Sequence, residues 1–199
     1  QTIGELIAKE GLIFVNGACP GVPNIAAQSA RSKQGIATGF SRWENEHRHL
    51  SEYQWSKEEI PHLIITYLGK PVNGSQRPSD VSRLSITSDV VNLFSSDAVI
   101  IIGGFYGTNH EVAIAAGLGL PVMLLKGTGR VADMAKSYYG SIAKPNNPAI
   151  FMEEENPNLL TEMMIEELFK RNTITREFKP GKDPLDTVIK RLEMQQALN

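Results

Sequence analysis

Apolar and polar positions come in blocks along this chain. Short apolar runs rich in β-branched residues predict strands at Leu12–Gly17, Gly35–Phe40, His62–Leu68, Ala98–Gly103, Pro121–Lys126 and Ala149–Met152. Stretches between them carry the helical signals and predict helices at Asn24–Lys33, Ser82–Ser95, His110–Gly117 and Val131–Tyr139. Two more helices close the chain, at Pro157–Arg171 and Pro184–Leu198. In the first of these, Leu160, Met163, Met164 and Leu168 recur at helical spacing, which reads as a packing stripe. Alternation of strands and helices is the pattern of parallel strands joined by crossover helices. The unbroken run AVIII suits a central strand covered on both faces. The expected fold class is therefore α/β, a doubly wound parallel sheet flanked by helices, with two extra C-terminal helices.

Two stretches depart from that pattern. The chain opens on QTIGELIAKEGLIFVNG, a helix followed by a strand, whereas a doubly wound sheet normally begins with a strand. An opening strand is thus expected upstream of Gln1. The segment Ser41–Pro61 is polar and aromatic without clear periodicity, and a connection of that length inside a domain is often a binding loop or lid.

Length and composition narrow the picture. With 199 residues and no linker, a single domain over residues 1–199 is expected, its core at about 12–140 and a helical extension at about 157–198. Hydrophobic residues at 41% and charged residues at 21% match soluble globular chains. No apolar run approaches the ~20 residues of a membrane span and no basic-then-apolar leader is present, so no membrane partner and a cytoplasmic setting are expected. A net charge of -2 gives no footprint for nucleic acid, which is not expected as a partner. The one cysteine, Cys19, has no internal partner for a disulfide.

The chemistry concentrates in glycine loops after strands. In IIIGGFYGTNHE, Gly103 and Gly104 let backbone N–H groups approach an anion, and the helix beginning near Thr108 aims its positive end at the same spot. Thr108-Asn109-His110-Glu111 also matches a capping box, in which Glu111 reaches back to the cap residue. A helix start favours the ionised form of Glu111, which suits it to stabilising positive charge. Gly17 and Gly21 flank an earlier strand-to-helix turn, with Pro23 and Asn24 at the helix start. Gly127, Thr128 and Gly129 form a third loop expected, with Gly17 and Gly21, to line the phosphate or nucleotide site, and Arg130 either reaches an anion there or is simply solvated.

In GFSRWENEHRHL, Glu46, His47 and His49 lack the recurring ligands of a metal site, so no metal is expected there. A substrate-facing loop around Glu46, His47 and Trp43 is the alternative. Tyr53 and Trp55 suit either base stacking or core packing.

Together these residues resemble the Lonely Guy family of cytokinin-activating nucleoside 5'-monophosphate phosphoribohydrolases, often called lysine decarboxylase-like, within a wider group of Rossmann-like nucleotide-binding domains. The resemblance runs from about Leu12 to Tyr139. It is most specific at the Gly-Gly-x-Gly-Thr-x-x-Glu element, represented by Gly104, Gly107, Thr108 and Glu111. It is closest to an uncharacterised bacterial branch, and LLKGTGRVADM is also similar to a nucleotide-sensing domain of melastatin-type channels. The resemblance implies a Rossmann-like fold and a nucleotide or ribose-phosphate ligand. It implies phosphate contacts at Gly104, Gly107 and Thr108, and Glu111 as the catalytic carboxylate of N-glycosidic hydrolysis. It implies no cofactor and a homodimer; an ADP-ribose sensor without turnover is the alternative. Two positions depart from the family: Phe105 replaces a glycine of the phosphate loop, and Ser88 stands where the family carries its catalytic arginine. Arg83 and Arg77 lie upstream as possible substitutes.

Overall fold

The computed structural model describes residues 2–69, 78–141 and 149–171, with only the backbone for 78–84. In chain order the elements are α1 (Thr2–Lys9), β1 (Ile13–Asn16), α2 (Val22–Ser32), β2 (Ile36–Ser41), α3 (Glu46–Tyr53), a 3-10 turn (Lys57–Glu59) and β3 (Ile64–Tyr67). Then follow α4 (Pro78–Phe94), β4 (Val99–Ile102), α5 (Tyr106–Leu118), β5 (Val122–Leu125), α6 (Val131–Tyr139), β6 (Phe151–Glu154) and α7 (Pro157–Lys170). All strand pairings are parallel, in two hydrogen-bonded halves of order β1-β2-β3 and β4-β5-β6. This is a Rossmann-like α/β arrangement.

Both halves contribute to one apolar cluster, against which Phe14 of β1 and Ile100 and Ile102 of β4 pack. Alternation along the central strands explains their unbroken apolar character. Ile101, Val122 and Leu124 face a core with Val112, Ala115, Ala132 and Ala135 of α5 and α6. Ile100, Ile102 and Met123 face the opposite core with Ile3, Ile7, Leu160, Met164 and Leu168 of α1 and α7. With both faces covered, every residue of β4 and β5 is required to be apolar. Of the stripe expected on α7, Leu160, Met164 and Leu168 belong to this packing surface.

Three boundaries differ from the sequence expectation. The backbone of α4 turns helical at Pro78, where proline suits a first helical position. α5 starts at Tyr106, four residues before His110, because the glycine turn ends sooner than the Thr108 signal implied. The stretch read as an irregular loop contains α3, whose cap Asn45 accepts from the Arg48 N–H at 2.9 Å. The helix expected at Pro184–Leu198 lies outside the described residues.

Candidate functional site

The C-terminal ends of the strands carry the loops of interest, the edge where open α/β sheets place ligands. After β1, buried Asn16 organises the first loop. Its Oδ1 accepts from the Ala18 N–H at 2.7 Å and from His62 Nε2 at 2.8 Å, and its Nδ2 donates to the Pro23 carbonyl at 3.1 Å. An amide oxygen only accepts, so His62 carries its proton on Nε2. Burial pushes the His62 pKa down to about 4, with His49 adding to the effect, which keeps the ring neutral. A Cβ at Gly17 would lie 3.9 Å from Ser88 Oγ and 4.0 Å from Cys19 Sγ, so this loop sits directly over α4. Ser88 donates to the Phe40 carbonyl at 2.6 Å. Its short side chain ties α4 to β2 where the resembled family places an arginine.

A cation enters the crevice from a different element. Arg42, the residue after β2, donates from Nη1 to Ser85 Oγ at 2.8 Å, and its guanidinium lies 5.0 Å from the Trp43 ring centre. Asp89 stands one helical turn beyond Ser85, and Glu111 faces it from α5. Burial first, and then the neighbouring Asp89 charge, raise the Glu111 pKa to about 7. Burial lifts Asp89 to about 6, against the pull of His110 and Arg42. The Cys19 thiol is also held up, by burial first and then by Glu111. Among the described residues Glu111 has neither hydrogen bond nor ion pair.

This corrects two sequence expectations for Glu111. The cap of α5 is Phe105, with no side-chain cap bond, so Thr108 and Glu111 form no capping box. Glu111 is the sixth helical residue, beyond the turn where the helix dipole acts, and burial decides its protonation instead.

The first turn of α5 is the open anion-binding element. Gly103 and Gly104 take φ of +59° and +97°. Gly103 is committed to the fold: its N–H donates to Thr128 Oγ1 at 2.8 Å and its carbonyl accepts from the Ala132 N–H at 2.9 Å. The amides from Gly104 to Thr108 have no acceptor among the described residues, as expected at a helix start without a cap. At Gly107 a Cβ would meet nothing within 4 Å. Packing among the described residues therefore gives no reason for glycine at a helical position that disfavours it.

The third glycine loop is closed on itself. Asp133 Oδ1 accepts from the Gly127 N–H at 2.9 Å and Oδ2 from the Gly129 N–H at 3.0 Å. Thr128 Oγ1 donates to the Leu125 carbonyl at 2.5 Å. These groups, expected to bind phosphate, are occupied from within. Arg130 is different: its guanidinium lies 3.3 Å from the Phe105 ring centre, with no acceptor among the described residues. Phe105 thus carries a cation at the start of α5. In the first loop, Gly21 caps α2 with φ +91°.

The Ser41–Pro61 segment turns inward. Trp43 is 4% exposed, so it does not face substrate. Trp43 and His49 each pack edge-on against Tyr53, and His49 also against Trp55 and Tyr67. The Ser41 hydroxyl lies 2.8 Å from His49 Nδ1. Glu46 pairs with Lys57 at 3.2 Å on the surface, and His47 is exposed. Among the described residues no three His, Cys, Asp or Glu come together as a metal site, and no helix is long and apolar enough to cross a membrane.

Sequence reasoning missed Arg42, Asp89 and Asp133. Asp133 had a local signal, an acidic residue in the first turn of a helix after a glycine loop. Arg42 had one too, a basic residue at the C-terminal end of a strand.

The profile of the SLOG cluster4 family matches residues 1–160. An uncharacterized protein of Archaeoglobus fulgidus is 31% identical over 127 residues, 62% of this chain, and the chain spans 66% of that relative's length, just under two thirds. Among solved structures, the structural-genomics target TM1055 has a TM-score of 0.64 at 23% identity, covering 83% of this chain and 84% of its own. The molybdenum cofactor binding protein of the phototrophic bacterium Rippkaea orientalis has a TM-score of 0.57 at 26% identity, covering 86% of this chain and 84% of its own.

Proposed function

Because this chain belongs to the SLOG cluster4 family, we propose that its crevice binds a nucleotide or ribose-phosphate and hydrolyses the N-glycosidic bond of a nucleoside 5'-monophosphate. The observation that carries this reading is a carboxylate pair, Asp89 and Glu111, near a helix start whose amides have no acceptor among the described residues. The phosphate rests on the amides of Gly104–Thr108, with Arg130 as counter-charge. The ribose then lies over α5, towards Glu111.

With pKa values near 7 and 6, Glu111 is about half protonated and Asp89 mostly ionised close to neutrality. The protonated member delivers that proton to the departing base as the C–N bond breaks and the base takes the electron pair. The ionised member stabilises the oxocarbenium-like sugar and accepts a proton from the water that adds to the anomeric carbon, which restores the pair. Two carboxyl groups thus replace the arginine and glutamate of the resembled family. A single domain, a homodimer and a cytoplasmic setting are carried forward as parts of the same proposal.

A second reading, binding without turnover, is favoured by the likeness to a molybdenum cofactor binding protein and by the lack of any cation bonded to Glu111 among the described residues. Incubation with AMP, other nucleoside monophosphates and ADP-ribose, followed by chromatography for free base and ribose 5-phosphate, separates the two. Base release by the wild type supports hydrolysis. Saturable binding without release supports the carrier or sensor. If none of these ligands raises the melting temperature, both readings fail.

A further inference from the structure

We infer that His62 is a positioning residue for the carboxylate pair of the crevice: its bond to Asn16 locks the Gly17–Gly21 loop so that Cys19 is held beside Asp89 and Glu111. The inference rests on the proposed role of that pair, and adds the element that shields it from water.

The lock consists of three bonds on one buried amide. Asn16 spans its own loop: Oδ1 accepts from the Ala18 N–H and Nδ2 donates to the Pro23 carbonyl. Such a turn is local and opens when the loop opens. His62 stands 46 residues away and donates to the same oxygen, which ties the loop to the segment entering β3. Its Nδ1 is buried with no partner, so the bond at Nε2 is the polar contact of the ring among the described residues.

One glycine makes room for this contact. Gly39 is the register partner of Asn16, and a Cβ there would come 2.7 Å from Ala18 Cβ and 3.1 Å from His62 Cδ2. Ala18 is fully buried at φ +49°, a left-handed conformation that alanine keeps only when its surroundings impose it. The next residue, Cys19, lies among the charges of the crevice. Burial first and then the Glu111 charge hold its thiol up, Arg42 opposes, and Asp89 adds to the rise. Asp89 also feels His110 and Arg42, which completes the set of titratable and charged groups around the pair among the described residues. Without the His62 bond, Ala18 relaxes, the loop lifts Cys19 away, and water reaches Glu111.

Carboxyl NMR titration of the full, isotope-labelled chain tests this, for wild type, His62→Leu, His62→Gln and Gly39→Ala. Wild-type Glu111 is expected to titrate at about 7. In His62→Leu and Gly39→Ala its proton affinity is expected to fall about tenfold or more, towards that of an ordinary glutamate. His62→Gln keeps an N–H for Asn16 Oδ1 and is expected to retain the wild-type midpoint. Burial holds the His62 pKa at about 4, so replacing the ring removes no charge where Glu111 titrates. The wild type alone gives a second readout: a slowly exchanging proton on His62 Nε2 is expected, and a ring protonated on Nδ1 would overturn the lock even if the variants fail to fold. An unmoved Glu111 midpoint in folded His62→Leu and Gly39→Ala would also overturn it, as would a glutamine variant that titrates like the leucine one. None of these results touches nucleotide binding. Midpoints that move as expected, in a chain that neither binds nor cleaves AMP, would support the lock and defeat the nucleotide reading.

Discussion

Glu111→Gln is expected to raise the stability of the protein at pH 8 while reducing N-glycosidic turnover roughly 10²-fold or more. Both effects come from one cause. Glu111 is largely removed from water, stands beside Asp89, and has no bonded cation among the described residues, so its ionised form is unfavourable in the folded state. Its pKa rises from an unfolded value near 4.5 to about 7. Between those values the native state binds the extra proton, so stability falls as pH rises from about 4.5 to 7, and the penalty is complete above that. Glutamine keeps the shape and removes the charge. Allowing for partial exposure, the gain at pH 8 is about 1–3 kcal/mol, or roughly 2–10 °C in melting temperature. It should shrink as pH is lowered through 7 and vanish near 4.5. Thermal melts of wild type and variant from pH 4.5 to 8.5 check the sign. A variant that is less stable at pH 8 would mean that Glu111 has a favourable partner after all.

Gly104→Val is expected to destabilise by more than about 3 kcal/mol, and Gly107→Ala to leave stability unchanged or raise it by up to about 1 kcal/mol. At Gly104 the backbone has φ +97°, and a Cβ would come within 2.5 Å of Thr108 Cβ and Cγ2. Thr108 sits in the first turn of α5 with little rotamer freedom, so the loop itself would have to move. At Gly107 a Cβ meets open space. The two glycines therefore answer to different demands, Gly104 to the fold and Gly107 to whatever approaches the helix start. Denaturant melts with a phosphate-binding titration separate them: Gly104→Val loses both, and Gly107→Ala keeps the fold and loses affinity about tenfold. A Gly107→Ala protein that binds as the wild type does would remove the close approach assigned to that position.

The parts of this molecule legible in its sequence are those determined by neighbours along the chain. The run AVIII announced a strand buried on both faces because each face needs its own apolar row. The glycines after β4 marked a strand-to-helix turn for the same local reason. What remained hidden depends on residues brought together by the fold. Thr108 and Glu111 had the spacing of a capping box, but Phe105 starts the helix earlier and sends Glu111 towards Asp89 of α4. Gly127 and Gly129 had the look of a phosphate loop, and only the position of Asp133 shows their amides to be taken. Trp43 read as a ligand-facing aromatic because no periodicity linked it to Tyr53, the ring it packs against. Ser88 read as a missing arginine, whereas Arg42 brings a cation to the cluster from the end of β2.

The proposed phosphate position is the start of α5, whose amides have no acceptor among the described residues, and not the third glycine loop. Amide chemical-shift mapping of the full, isotope-labelled chain during titration with AMP tests it most directly. Saturable shifts are expected to be largest over Gly104–Thr108, with Gly127 and Gly129 little changed because Asp133 holds them. Shifts centred on Gly127 and Gly129 with the start of α5 unmoved would contradict it.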